Sequence, residues 1–127
     1  MGKRVKVTER GWAGHFICAD RCRFRRNTLI ECGEQRIVVS TVGLMEKFDY
    51  GKPWYKTGKF ETIGCERYYE TMAFNASKEG VYWEADVTQQ LSFDSEWALN
   101  ECEEESDKKA NEMHDAVVRE LKHRIRK

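Results

Sequence analysis

The apolar residues of this chain change their spacing once, and that change dictates what it can fold into. From Ala110 onward they recur at Met113, Val117, Leu121 and Ile125, with Arg119, Glu120, Lys122 and Arg124 between them. This period predicts an amphipathic helix of about five turns, basic toward its C-terminal end as the helix dipole favours. Earlier in the chain the pattern is that of strands. Val5 and Val7 alternate with Lys6 and Thr8, and Phe16 to Cys18 is a short apolar run. Phe24 to Cys32 and Arg36 to Val42 are β-rich and joined by Cys32-Gly33-Glu34-Gln35, which reads as a hairpin. Tyr68 to Phe74 and Val81 to Val87 form a second pair, with Asn75 to Gly80 read as the turn between them. Short connections favour antiparallel pairing over helical crossovers. The expected class is α+β: an antiparallel sheet of five to six strands followed by C-terminal amphipathic helices packed on it. Asp94 or Ser95 would cap a short additional helix containing Trp97, Ala98 and Leu99. The 127 residues suit one domain, mostly β over 1–93 and helical over 94–127.

Charge narrows the partners. The chain holds 22 basic and 22 acidic residues, unevenly spread. Residues 1–26 carry eight Lys/Arg against two acids, and residues 94–105 carry six acids and no base. Duplex binding draws its affinity from neutralising phosphates, so a net charge of zero argues against a long nucleic acid as partner. It leaves room for one focused basic pocket for a small anion. The mean hydropathy of −0.76 and the lack of a long apolar run argue against a membrane role. Met1 to Lys6 is basic with no apolar segment behind it, so the expected location is the cytoplasm.

Five cysteines form no regular framework, which suits reduced thiols. His15, Cys18 and Cys22 could sketch part of a zinc site with Cys32 or Cys65, but burial of small apolar thiols is the stronger reading. No metal or cofactor is expected. The phosphate-loop, dinucleotide, zinc-protease and hydrolase-elbow signatures are missing; Gly51 to Lys59 has the wrong spacing for the first. His114 and His123, on the helix, are expected to face solvent.

Three segments could carry binding chemistry. In Arg21-Cys22-Arg23-Phe24-Arg25-Arg26-Asn27, an extended backbone places Arg21, Arg23 and Arg25 on one face, at intervals of about 6.5–7 Å. Such guanidinium groups grip phosphates in a bidentate fashion. The alternative is an edge strand guarded by charge. Just upstream, Gly11 and Gly14 flank Trp12 and His15 and would let the backbone approach a ligand closely. Tyr68, Tyr69 and Glu70, with Tyr82, Trp83, Glu84 and Asp86, offer rings and carboxylates on neighbouring strands, for ribose or base contacts or simply as cross-strand pairs. The long segment between Val42 and Phe60 gathers Phe48, Tyr50, Trp54 and Tyr55 among lysines, as a lid or as a loop folded on the core.

Gly11 to Phe16, Arg21 to Leu29, Arg67 to Phe74 and Tyr82 to Asp86 together resemble small bacteriophage and prophage proteins, and within that group the Thoeris anti-defence sponge family. The resemblance implies a protein that sequesters a cyclic ADP-ribose isomer made by a host immune enzyme, holding it intact in the host cytoplasm. It further implies a homo-oligomer with pockets at subunit boundaries. The candidate ligand-binding residues are Trp12, His15, Phe16, Arg21, Arg23, Arg25, Arg26, Asn27, Tyr68, Tyr69, Phe74, Trp83 and Glu84, with no catalytic residue. Two other readings compete. One is a protein-binding inhibitor whose acidic stretch, Asp94 to Glu105, imitates phosphates. The other is a small nucleotide-processing enzyme using Glu70, Glu84 or Asp86.

Overall fold

The computed structural model of the protein describes residues 4–15, 22–46, 60–63, 67–92, 98–100 and 105–125. Three long strands open the chain: β1 (Val5–Arg10), β2 (Cys22–Cys32) and β3 (Gln35–Glu46). β2 and β3 form the expected hairpin, with Cys32 opposite Gln35. Gly33, at φ 62°, takes the first central position of the two-residue turn, where a positive φ matches the strand twist. β5 (Tyr69–Glu79) pairs with the other side of β3, and β6 (Tyr82–Leu91) pairs with β5. The order is β1-β2-β3-β5-β6, all antiparallel. Two short strands extend it, β4 (Phe60–Glu61) beside β3 and β7 (Ala98–Leu99) beside β5.

Two expectations are corrected here. Asn75 to Glu79 is strand, not turn: Ala76, Ser77, Lys78 and Glu79 pair with Ala85, Glu84, Trp83 and Tyr82. The reversal falls on Gly80 and Val81, and only Gly80, at φ 61°, needs the left-handed region. Ladder pairing outweighed the turn-like composition of that stretch. β6 carries an irregularity opposite Asn75, where Asp86 accepts bonds from the Thr88 backbone amide and hydroxyl and from the Gln89 side-chain Nε2. The second correction concerns Ala98 and Leu99, which pair with Glu70 and Tyr69 as β7 and do not belong to a short helix. Trp97 and the capping candidates Asp94 and Ser95 lie outside the described residues.

One helix, α1 (Ser106–Ile125), crosses one face of the sheet and touches β2, β3 and β5. Its predicted stripe is buried: Ala110, Met113, Val117, Leu121 and Ile125. Val117, Leu121 and Ile125 close over Ile30, Cys32, Ile37, Val39 and Ala73. Ala110 and Met113 meet Leu44 and Tyr69. Leu44 has φ 52°, an uncommon conformation for a large residue, and its amide donates to the Tyr68 carbonyl oxygen at 2.9 Å. Tyr69 reaches through this layer to donate its hydroxyl to Asp107 in the first helical turn, at 2.7 Å.

Between those two apolar patches lies a polar seam, and its centre corrects a third expectation. His114 is fully buried. Its Nε2 is 2.7 Å from Thr28 Oγ1 and its Nδ1 is 2.7 Å from Thr41 Oγ1, which is itself 2.6 Å from Thr71 Oγ1. Glu9 fixes the direction of the whole chain of bonds. Its carboxylate accepts from the Thr28 hydroxyl at 2.6 Å, so Thr28 Oγ1 is left to accept from His114 Nε2–H. Nδ1 then accepts from Thr41, and Thr41 from Thr71. Burial, aided by the nearby Arg26 charge and only partly opposed by Glu9 and Asp115, pushes the imidazole pKa down to about 4. The ring is therefore neutral at neutral pH. His123, by contrast, is exposed as expected.

Strand residues alternate faces, so Leu29, Val38, Val42 and Phe74 point away from the helix. They too are buried. Part of their cover is the segment that leaves β1, residues 11–15, and that segment builds the candidate site.

Candidate functional site

Arg10 ends β1 opposite Asn27 of β2. Its Nε and one terminal nitrogen both donate to Asn27 Oδ1, at 3.0 and 2.8 Å, and the other terminal nitrogen donates to the Trp83 carbonyl oxygen. That guanidinium also lies 3.8 Å from Glu84 and 4.8 Å from the centre of the Trp12 ring. Trp12 Nε1 in turn donates to the Glu84 carboxylate at 3.0 Å, and its ring meets Tyr82 edge-on with centroids 5.4 Å apart. A strand end, the segment after it and the far strand β6 are thus tied together across the sheet. Trp12 and Tyr82 stay 38% and 58% exposed, a partly open aromatic rim.

Beyond Trp12 the chain dips onto the sheet. The Gly14 amide donates to Ser40 Oγ at 3.1 Å, and His15 Nδ1 lies 2.6 Å from the same oxygen. A side chain at position 14 would not fit: a Cβ there would stand 2.6 Å from Ser40 Cβ and 2.7 Å from its Oγ. At Gly11 a Cβ would meet nothing within 4 Å. Gly14 therefore serves close approach, and Gly11 has no such constraint. Gly14→Ala is expected to lift residues 12–15 off the sheet and lower stability by about 1–3 kcal/mol, as overpacking does, while Gly11→Ala leaves the unfolding free energy, measured by urea denaturation, within about 0.5 kcal/mol of the parent.

Past Ser40, His15 Nε2 stands 3.6 Å from Glu70 Oε1, and Arg67 holds the other carboxylate oxygen at 3.2 Å. The polar contact with His15, together with Arg67, keeps Glu70 below the ordinary carboxylate range even though burial opposes this. Phe74 walls the same spot, its ring 5.7 Å from that of His15. Two buried side-chain nitrogens here have no hydrogen-bond partner among the described residues: His15 Nε2 and Asn27 Nδ2.

The candidate residues divide by their place in the fold. Trp12, His15, Asn27, Phe74, Trp83 and Glu84 come together on the sheet face away from the helix. Arg23 and Arg25 are both exposed near the start of β2; alternation from Asn27 puts Arg25 on that same face, whereas the Arg23 guanidinium lies 5.9 Å from the centre of the Phe60 ring, which packs in the cluster under α1. Arg26 belongs to the opposite face. It binds Glu9 through two nitrogens at 3.0 Å and Asp115 at 2.8 Å, so it fastens β1 and β2 to the helix. Tyr69 is core beneath α1, and Tyr68 packs at the edge of the same cluster. Phe16 and Arg21 lie outside the described residues, as do Cys18 and most of the 43–60 segment. Trp83 is itself stacked on Arg36, 4.3 Å from its ring centre.

Arg10 is the residue that sequence reasoning passed over. Its signal was position: it immediately precedes Gly11 and Trp12 and closes the first alternating run. Among the described residues no group of three or more His, Cys, Asp or Glu side chains is placed to hold a metal ion. No helix among them is long and apolar enough to cross a membrane. The acidic stretch invoked for protein mimicry falls largely outside the described residues. Comparison of the chain with protein-family models, curated proteins and solved structures finds no match.

Proposed function

We propose that this chain is a phage anti-defence protein that binds a cyclic nucleotide immune signal of the cyclic ADP-ribose type in the host cytoplasm and sequesters it without cleaving it. The observation that carries this reading is the meeting of two segments on which the family resemblance rests. Gly11 to His15 and Tyr82 to Asp86 are about seventy residues apart, yet Trp12 bonds Glu84 and Arg10 bonds the Trp83 backbone. They make a rim of indole, phenol, guanidinium and carboxylate, the mixture a flat, polar ligand calls for. Arg25, exposed on the same face, supplies positive charge for a diphosphate. A homo-oligomer that completes the pocket remains part of the proposal.

The test is calorimetry with cyclic ADP-ribose isomers, followed by heat denaturation and analysis of the released ligand. Release of unchanged nucleotide supports sequestration; a cleaved product, or no binding to any member of this class, rejects it. Arg25→Ala is expected to weaken binding by about 1.5–3 kcal/mol, the worth of a hydrogen bond to a charged group, with an unchanged melting temperature. Arg26→Ala should do the reverse, lowering stability while sparing affinity.

A further inference from the structure

The rim around Arg10 is carried by two parts of the fold, and the strand pairing between them is broken. Phe74 of β5 pairs with Gln90 of β6 and Ala76 pairs with Ala85, so Asn75 alone stands opposite residues 86–89. Asn75 is also where β5 ends its pairing with β3, opposite Ile37. Residues 76–85 are therefore a two-stranded ribbon whose strands pair with each other and with no further strand. None of these residues is buried, and none belongs to the apolar clusters of the core. A two-stranded ribbon by itself is marginally stable at best in water. This one takes its place from what its side chains reach.

Those ties, among the described residues, are polar or aromatic. Trp83 offers its carbonyl oxygen to Arg10 and its ring to the Arg36 guanidinium. Glu84 accepts from Trp12 Nε1 and stands 3.8 Å from Arg10, and Tyr82 meets the Trp12 ring edge-on. The root of the ribbon is bonded differently. Asp86 holds Thr88 and Gln89, and Asn75 Nδ2 donates to Gln89 Oε1 at 3.2 Å. These bonds stay inside the break, so they keep its two strands together without fixing the ribbon to the sheet. Asn75 and residues 87–89 are exposed, free of the packing that would resist a change of backbone angle.

We propose that residues 76–85 are a lid that turns on Asn75 and residues 86–89 and is latched shut by Glu84 on Trp12 and Arg10. Tyr82, Trp83 and Glu84 travel with the lid. Arg10 stays with the sheet, bonded to Asn27, and Trp12 stays with the segment that Gly14 fixes to Ser40. Opening parts the rim, and a ligand enters between its halves and is enclosed when the latch re-forms. The hinge and latch stand on geometry alone, whereas the enclosure of a nucleotide rests on the nucleotide-binding reading.

The experiment is hydrogen exchange on the full chain, followed amide by amide by NMR. The hydrogen-bonded amides of residues 76–79 and 82–85 are expected to open as one unit, about tenfold or more as often as those of β2 and β3. Glu84→Ala removes the latch and should speed the ribbon amides by about tenfold, with β2 and β3 unchanged. Glu79→Ala, at an exposed carboxylate of the same ribbon, is the control and should stay within about twofold of the parent. Saturating ADP-ribose should slow the ribbon amides. Exchange as slow as in β2 and β3, or rates that fall off smoothly from Gly80 toward Asn75 as in fraying, overturns the hinge. Parent-like rates in Glu84→Ala overturn the latch. ADP-ribose that binds without slowing the ribbon overturns the enclosure, while the nucleotide reading survives. A ribbon that opens as a unit in a protein that binds no nucleotide of this class leaves hinge and latch standing and sinks the broader reading.

Discussion

Leu121→Ala is expected to lower the unfolding free energy by about 2–5 kcal/mol, the range for deleting a buried leucine side chain. The residue is fully buried where α1 closes over the sheet, against Ile30, Cys32, Ile37, Val39 and Ala73. Alanine is the best helix former, so the helix itself gains no intrinsic penalty from the change. The loss reports packing alone. In urea the midpoint should fall with little change in slope, since the exposed surface on unfolding stays nearly the same. Glu112→Ala, on the exposed face of the same helix, is the control and should stay within about 0.5 kcal/mol of the parent. Equal, small effects at both positions would mean that α1 does not dock on the sheet as described.

Acidification from neutral pH is expected to remove about 3 kcal/mol of stability through His114, from a depression of the pKa from 6.5 to about 4 at about 1.4 kcal/mol per unit. The unfolded chain takes up a proton as pH falls below 6.5, while the folded ring resists it until about 4. Between those values the unfolded state binds more protons, so stability rises with pH and the contribution is complete above 6.5. Glu9 and Glu70 also hold folded values below the ordinary 4.5, and their stabilising contributions disappear only as pH falls through that lower region. The upper part of the window therefore isolates the histidine. Urea unfolding at half-unit steps from pH 7.5 to 4.5, repeated for His114→Gln, measures it. A variant profile as steep as the parent's between pH 5 and 6.5 would refute the assignment.

Much of the architecture was legible because its signals were local. The helix was announced by four-residue spacing, and the β2–β3 hairpin by Gly33 between two β-rich runs. What was missed depended on partners distant in the chain. Asn75 to Glu79 carries turn-forming residues, and pairing makes it strand: Asn75 with Ile37, and Ala76 to Glu79 with Tyr82 to Ala85. His114 was assigned to solvent as a polar residue, although it follows Ala110 by four and precedes Val117 by three, squarely on the buried stripe. The missing information was the two threonines of neighbouring strands, Thr28 and Thr41, that satisfy its ring, with Thr71 of the next strand completing the series through Thr41. At the candidate site, alternation separates Arg26 from Arg25, but it misplaced the start of β2: Cys22 packs with Val42 on one face, while Phe24 and the Phe60 ring beside Arg23 pack on the other. The gathering of Trp12 and Glu84 across β1 and β6 needed the fold, as did the role of Arg10.

The directed series of hydrogen bonds from Thr71 to Glu9 ties the energetics of an outer strand to those of the sheet's interior. Taking the negative charge from position 9 frees every hydroxyl rotor in the series, and the imidazole then has two proton placements open to it. Substitutions at residues 9 and 71 will accordingly not combine as independent increments, although their side chains never touch.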